Sequence, residues 1–387
     1  MVLKELKFYN FRNLLKSTIQ FHPSVNIFLG PNGQGKTNLL ESIFVLSFGG
    51  TFRPGKAEVL IKRGETCGYV EGRYLDKNLT NTAKVEFVDS RKRMLHNNKS
   101  LNNSNLKNKL FSVLFSPESL AVIKDGPDAR RTLIDEIGMS IHPDYSKKLA
   151  DFKKALNARN KVLKNYKNHG LEKKSILGVL ESLNPIYFEK ATDLTHHRLS
   201  VVRILKSELS PIYNSLIEGE NVEISVEYLI SSKNGVDWTA SHVYNNFLDR
   251  AKDLADAELS AGTTLIGPHK HDIRFLVNQE DSRYFCSQGQ QRTLIIAVKM
   301  GQILLFKKKH DSYPLLLLDD VLSELDLTKR TKLVKFLNNI EAQIFLTTTD
   351  LAFKIDEVSS GSRFLEGDFF VFEINNGEIV KSESNIG

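Results

Sequence analysis

The sequence predicts an α/β fold: a parallel sheet assembled from both ends of the chain, with a mainly helical second lobe inserted between them. Three observations carry this. Val25-Asn26-Ile27-Phe28-Leu29, Leu315-Leu316-Leu317-Leu318 and Gln343-Ile344-Phe345-Leu346-Thr347 are short, largely apolar runs, the pattern of strands buried on both faces. Helical patterns lie beside them, as in layered strand–helix architectures. From Pro143 to Leu216 the apolar residues instead fall at spacings of 3, 4 or 7, which describes amphipathic helix.

Each element follows in order. Leu3, Leu6 and Phe8 alternate with polar neighbours and read as a strand. Beyond a glycine-rich turn, Asn38 to Phe48 is helical, with Leu40, Ile43 and Leu46 on one face, and Gly49-Gly50 ends it. Val85–Val88 and Leu110–Phe115 are strand-like patches around a polar hairpin region, Arg91 to Asn108. Tyr145, Leu149, Phe152, Leu156, Leu163 and Tyr166 mark one amphipathic helix. Leu194, Val201, Leu205, Leu209, Ile212 and Leu216 mark a second, with a polar break at Asn168-His169-Gly170 between them. This is a helical pair with a short arm, not a long rod. Val222 to Ile230 alternates as a strand, and Val243 to Leu259 is a helix. A helix from Gln288 to Lys307 leads through Pro314 into the tetraleucine strand. A helix over Thr328–Leu337 and the last apolar run follow. Lobe I is therefore expected over 1–115 and 305–387, and lobe II over 116–304.

Composition narrows the function classes. The chain has 387 residues, 41% hydrophobic and 26% charged, enough for a sizeable core and too apolar for wholesale disorder. Its formal charge of +7 is compatible with a polyanionic partner. Two cysteines, Cys67 and Cys286, support neither a disulfide framework nor a four-cysteine zinc site, which suits a reducing cytosol. No apolar stretch approaches the roughly 20 residues that span a bilayer, and MVLKELKFYNFRNLL lacks the apolar core of a signal peptide. A cytoplasmic protein with no membrane partner is expected.

Gly30-Pro31-Asn32-Gly33-Gln34-Gly35-Lys36-Thr37 fits G-x-x-x-x-G-K-[ST] and sits between a buried strand and a helix, as a phosphate-binding loop must. The glycines let backbone N–H groups wrap a β-phosphate without Cβ interference. The following helix adds its positive dipole end. Lys36 would reach the β- and γ-phosphates of ATP, and the Thr37 hydroxyl would ligate Mg²⁺.

A neighbouring strand must then end in a carboxylate for the metal, and LLLLDD does. Asp319 would bind Mg²⁺, and Asp320 would orient or deprotonate the attacking water. Two exposed aspartates capping the next helix are the bland alternative, which the tetraleucine disfavours. Ser287-Gln288-Gly289-Gln290-Gln291-Arg292 opens the preceding helix. Alone, S-x-x-Q is a capping box. Beside a P-loop and an acidic strand end, Ser287 and Gly289 also suit a second face of the γ-phosphate.

The order P-loop, S-x-G-Q-Q, LLLDD, S-E-L-D resembles the ATPase head of the ABC superfamily in its SMC-like branch. Asn10-Phe11-Arg12-Asn13, Phe115-Ser116-Pro117-Glu118, Gly126-Pro127-Asp128-Ala129-Arg130-Arg131 and Gly267-Pro268-His269 make the chain similar to the RecF family over nearly its whole length. The resemblance implies an ATPase that binds Gly30–Thr37 and Asn38 around ATP and dimerises on ATP. It places Ser287 and Gln290 across the dimer, Arg12 against phosphate from the first strand, and Ser323–Asp326 at the interface. It implies DNA at gaps or forks as partner, with RecO and RecR helping to load RecA.

The chain also departs from the wider pattern. Cys286-Ser287-Gln288-Gly289-Gln290 lacks the leading Leu and first Gly of the ABC signature, and Thr347-Thr348-Thr349-Asp350 has no switch histidine. Slow, weak, DNA-stimulated hydrolysis is the expectation. Glu118 stands where ABC heads have a phosphate-sensing glutamine. His269 and His271, read on one strand face, invite a metal pair, but no third ligand is evident. Arg53, Lys56, Lys62 and Arg63, with Lys92, Arg93, Lys99 and Lys107 beyond them, are the candidate DNA-phosphate contacts, against a bland reading as a solvated face. The alternatives are the ATPase of another SMC-like DNA complex, of a membrane transporter, which the missing histidine and interrupted head disfavour, or of a nuclease, which lacks a spare acidic cluster.

Overall fold

The structure, a computed structural model, describes residues 1–53, 57–88, 91–101, 110–169, 173–219, 221–349 and 369–382. Strands β1 (Val2–Tyr9), β2 (Ser17–Gln20) and β3 (Val25–Leu29) precede helix α1 (Lys36–Phe48). An antiparallel run follows: β4 (Cys67–Asp76), β5 (Leu79–Val88), β6 (Arg91–His96) and β7 (Lys99–Leu101). Next come β8 (Ser112–Phe115), α2 (Pro117–Leu120), α3 (Pro127–Ile141), α4 (Tyr145–His169) and α5 (Lys173–Leu216). The chain continues through β9 (Ile224–Ile230), β10 (Lys233–Asn234), α6 (Ala240–Ala261), β11 (Asp272–Val277), β12 (Glu280–Asp281) and α7 (Ser282–Phe285). It closes with α8 (Gln288–His310), β13 (Leu315–Asp319), α9 (Leu327–Asn338), β14 (Ile344–Thr348), β15 (Phe369–Asn375) and β16 (Glu378–Ser382).

Two units are formed. The first comprises Met1–Ala121, Ile212–Gly219 and Gln288–Gly387, and the second Val122–Pro211 and Glu220–Ser287. The first unit takes in α8 from Gln288, ahead of the return at 305 read from the sequence.

In the first unit the sheet order β16-β15-β3-β14-β13-β8 joins the two chain ends through parallel pairs, with β16 alone antiparallel. Strands β13 and β14 are buried at every residue, which is why they read as unbroken apolar runs. β1 does not enter this sheet. It pairs with β2 and β4 in a second, antiparallel sheet, β2-β1-β4-β5-β6-β7. Helix α1 packs against both sheets, so it is buried nearly all round, Leu39, Leu40, Val45 and Leu46 included, and not on one face alone. Leu3 and Phe8 of β1, Phe87 of β5, Phe345 of β14 and Phe372 of β15 share its core. The hairpin region extends to β7, and residues 102–109 lie outside the described ones.

In the second unit, the sheet β10-β9-β11-β12 is joined by α3, and α4 packs on α6. α5 runs 44 residues, about 66 Å at 1.5 Å per residue, far longer than the short arm read from its apolar spacing. It continues through Pro185 and Pro211, residues that ordinarily interrupt a helix. Buried ion pairs hold these helices together. Arg198 of α5 grips Asp135 of α3 through Nε and Nη2 at 2.8 and 2.9 Å, and Tyr145 donates to the same carboxylate at 2.5 Å. Arg159 of α4 meets Glu258 of α6 at 2.9 and 2.6 Å, both side chains 2% exposed, and Glu258 also accepts from the Leu265 N–H.

Arg159→Leu would strand the Glu258 carboxylate in this interior. Removing one member of such a pair costs about 3–5 kcal/mol, so the urea midpoint followed by fluorescence of Trp238, the single tryptophan, should fall well below wild type. An unchanged midpoint would show that the pair adds nothing to stability.

Candidate functional site

Strand register builds the site. Thr347 of β14 stands beside Asp319 of β13 on one side and Phe28 of β3 on the other, and Thr348 beside Leu29. Three buried strands thus end at one edge, where ligands of parallel α/β sheets bind. The loop Gly30–Thr37 leaves β3 at that edge. Gly30 has φ +152°, and a Cβ there would lie 2.4 Å from the Ile374 carbonyl oxygen, so no other residue fits.

Ile374 belongs to β15, and the β15–β16 turn grips the loop. The Asn376 N–H donates to Gln34 Oε1 at 2.7 Å, and the Gly377 N–H donates to the Gln34 carbonyl at 2.9 Å. The reading of the sequence made nothing of this hairpin. Its signal was there in Phe370, Phe372 and Ile374 alternating ahead of Asn376-Gly377, a two-residue turn pair.

Lys36 is buried at the start of α1. Its Nζ donates to the carbonyls of Gly30 and Pro31 at 2.5 and 2.9 Å, with Asn32 Oδ1 at 3.5 Å. Burial pushes this ammonium below its ordinary pKa, against the pull of Asp320 and Asp319. Thr37 Oγ1 donates to Asp319 Oδ1 at 2.9 Å, and Thr347 Oγ1 donates to the same oxygen at 2.9 Å. Burial raises the Asp319 carboxyl above the usual carboxylate range. The two hydroxyls and Arg53 oppose the rise, and Glu118 adds to it. Glu118, on the one-turn helix α2, is thus an electrostatic neighbour of Asp319.

Asp320 adopts a left-handed backbone, φ +51°, a conformation aspartate tolerates better than most residues. Its N–H donates to Thr347 Oγ1 at 2.9 Å, and Ser323 Oγ lies 3.0 Å from its Oδ1. One threonine therefore orients both aspartates. The sequence marks Thr347 as the end of an apolar strand and part of a segment lacking histidine, and a hydroxyl opposite a strand-end aspartate is what a buried carboxylate needs. Asp350 of that segment lies outside the described residues.

Arg12 departs from expectation. β1 ends at Tyr9, and Arg12 lies in the following turn with φ +52°. Its Nε and Nη2 pair with Glu41 at 2.8 and 3.0 Å. Glu41 is wholly buried on α1, and such a carboxylate must be paired. The same carboxylate accepts from Thr51 Oγ1 at 2.5 Å. Thr51 in turn accepts from the Arg53 N–H, and Arg53 Nη1 donates to Asn38 Oδ1 at 2.9 Å.

That brings Arg53, expected to meet DNA, to the nucleotide loop. Lys62 and Arg63 instead line a shallow cavity with Glu58 and Glu65. Lys56 and Lys107 lie outside the described residues. The Lys92 ammonium bonds the Gly49 carbonyl, and burial lowers its pKa, so it is engaged inside its unit.

Ser287 and Gln290 are exposed where α8 begins. Arg292, one turn on, donates to the Glu324 carbonyl at 2.9 Å and pairs with its carboxylate at 2.7 Å, tying α8 to the S-E-L-D segment. Asp326 caps α9 through the Lys329 N–H, the ordinary helix-start role. His269 and His271 precede β11 and do not share a strand face. His269 Nε2 meets the Thr264 carbonyl at 3.0 Å, and His271 Nδ1 meets Tyr228 Oη at 3.1 Å. Burial drives the pKa of both down, His269 to about 4. Among the described residues no three His, Cys, Asp or Glu side chains gather as a metal cluster. None of the described helices is long and apolar enough to cross a membrane.

A buried parallel sheet, a glycine loop where its strand β3 ends and an acidic strand end bonded to that loop's threonine define a P-loop head of the ABC/SMC kind. An Smc head domain from Pyrococcus furiosus shares the fold, with a TM-score of 0.52 at 14% identity over 98% of this chain and 96% of that one. Residues 2–358 match the family described as the RecF/RecN/SMC N terminal domain. Proteins called DNA replication and repair protein RecF from Thermoanaerobacter pseudethanolicus and Clostridioides difficile are 35% and 34% identical, covering 98% and 99% of this chain and 100% and 99% of their own. A structure of the recombination mediator protein RecF with ATP superposes with a TM-score of 0.85 at 30% identity, over 99% of this chain and 98% of that one. The chain belongs to the RecF family.

Asp319→Asn should raise the melting temperature of the nucleotide-free protein at pH 7.5, because it removes a desolvated charge and keeps an acceptor for both threonines. The native carboxyl has a raised pKa, so its stabilising contribution is full below its unfolded value, about 3.9, and is lost as pH rises through the folded one. The gap between variant and wild type should therefore close as pH falls toward 4. A gap independent of pH would show that the carboxylate charge is not its source.

Proposed function

We propose that the chain is an ATP-driven DNA-binding switch that works in the cytoplasm in recombinational repair and replication restart. It binds and slowly hydrolyses ATP, dimerises on ATP, and engages duplex or gapped DNA. With RecO and RecR it promotes loading of RecA. The observation that carries the reading is the contact between Thr37 and Asp319, which joins the P-loop to the acidic strand end at 2.9 Å.

The hydroxyl and carboxylate oxygens suit Mg²⁺, which keeps most of its waters and takes one or two protein ligands. Thr37 and Asp319 would hold it, and it would neutralise charge on the β- and γ-phosphates. Lys36 would exchange its carbonyl partners for phosphate oxygens, and Gly30–Gly35 with Asn38 would wrap the rest. Asp320, fixed by Thr347 and Ser323, would take a proton from the water that attacks the γ-phosphorus as the bond to the β-phosphate oxygen breaks. Arg53, bonded to Asn38, is a second cation at the same phosphates, a nearer role than DNA contact. Ser287 and Gln290 would complete the site from a second copy. DNA contact through backbone phosphates would fall to lysines and arginines such as half-buried Lys62 and exposed Arg63, without base specificity.

Fluorescence anisotropy with duplex, single-stranded and gapped DNA, at fixed salt, should show tight binding with ATP and weaker binding with ADP. No nucleotide dependence on any DNA would remove the switch. In sedimentation velocity, Lys36→Ala should abolish the ATP-induced dimer. Asp320→Asn should prolong it, with turnover reduced about 100-fold or more for loss of a general base. A Lys36→Ala protein that dimerises as wild type would contradict the site.

A further inference from the structure

The one-turn helix α7 carries the most exposed large hydrophobic side chain among the described residues, Tyr284 at 75%, next to Phe285 at 66%. Single exposed apolar residues need no explanation, but an adjacent aromatic pair is unusual on a soluble surface. Loose structure does not account for it. Ser282 beneath is fully buried. Arg283 is clamped from three sides: its own N–H and its Nε bond Asp281 Oδ1 at 3.0 Å, Nη2 meets Asp281 Oδ2 at 2.6 Å, and Nη1 meets Asp272 at 3.1 Å. Asp272 is itself held by a two-point pair from Arg130 at 2.9 and 3.0 Å. The Arg283 guanidinium also lies 5.3 Å from the Tyr284 ring. The two rings are therefore presented outward from a rigid base.

Ser287 follows two residues after Phe285. A chain advances at most about 3.6 Å per residue, so the aromatics lie within about 7–11 Å of the serine. We infer that Tyr284 and Phe285 are the apolar anchor of the ATP-driven dimer, buried against the P-loop face of a second copy when Ser287 closes on that copy's nucleotide. This rests on the proposed dimer. If Ser287 reaches the other copy's phosphates, rings this near along the chain come within reach of that copy's surface. Aromatic side chains on preorganised supports are also the residues that dominate interface energetics. The polar motif supplies geometry and the aromatics supply hydrophobic adhesion.

The test compares wild type, Ser287→Arg and Tyr284→Ser/Phe285→Ser by sedimentation velocity with a slowly hydrolysed ATP analogue. Fluorescent ATP is titrated in parallel at protein concentrations that keep each monomeric. The double variant should bind nucleotide as a monomer like wild type, yet dimerise with a dissociation constant raised about tenfold or more, while Tyr284→Phe stays near wild type. Phe285→Ser alone, which leaves the Arg283–Tyr284 contact in place, decides the matter should the double variant melt early. Wild type that stays monomeric would overturn both readings. Dimerisation of the double variant like wild type, with Ser287→Arg monomeric, would overturn the anchor alone. Unchanged dimerisation with weakened single-stranded DNA binding would overturn it in favour of base stacking.

Discussion

Three elements of the first unit meet at one largely buried carboxylate, Asp319. Asp319 closes a strand buried at every residue, so its oxygens must find donors inside the protein. One of them, Oδ1, finds two: Thr37, at the head of α1, and Thr347, on the next strand. Those two bonds tie β13, β14 and the P-loop helix together at one point. They also leave the carboxyl above its usual pKa, so it is held in place without being made comfortable.

The loop in front of that carboxylate is gripped from two further sides. Ile374 and Gly377 close on Gly30 and Gln34 from the C-terminal hairpin. From the N-terminal side, Asn13 Nδ2 donates to the Gln34 carbonyl at 3.3 Å, beside Arg12, which satisfies Glu41 inside α1, and Thr51, which extends that bond to the backbone of Arg53. Beside the local bonds that Lys36 makes to Gly30 and Pro31, the loop is therefore held by residues distant in sequence. Preorganisation of backbone N–H groups around a phosphate requires this, since eight residues with three glycines have little stiffness of their own.

What could be read from the sequence divides along the same line. Strands β3, β13 and β14, helix α1 and the P-loop announced themselves, because a fully buried strand and a glycine loop each impose a local pattern. The meeting of Thr37 with Asp319 was legible too, since the chemistry demands it. The roles of Thr347, Glu41 and the β15–β16 turn were not, because they arise from register and long-range packing, although the hairpin itself carries a local signal. Arg53 was visible as a charge, but sequence does not say which way a cation faces. The length of α5 was masked by Pro185 and Pro211, residues that ordinarily mark a helix end, both exposed and both inside the helix. The two histidines could be read as a metal pair that lacked a third ligand, and burial with separate partners accounts for them.

Charge explains why such a site would need more than its own residues. Around the place for a γ-phosphate, Lys36 and Arg53 stand against Asp319, Asp320 and Glu118, whose mutual influence shows in the pKa directions of Lys36 and Asp319. Two cations facing three carboxylates do not favour a polyphosphate. A divalent cation bound by Thr37 and Asp319 reverses that balance, so in the proposed reading nucleotide and metal bind together or poorly. The helix dipole and hydroxyl of a second copy's Ser287 segment would add positive potential on the face that the first copy leaves to solvent. Hydrolysis would then wait on association, and association on nucleotide. That mutual dependence is the property of a switch, and it follows from a local deficit of positive charge.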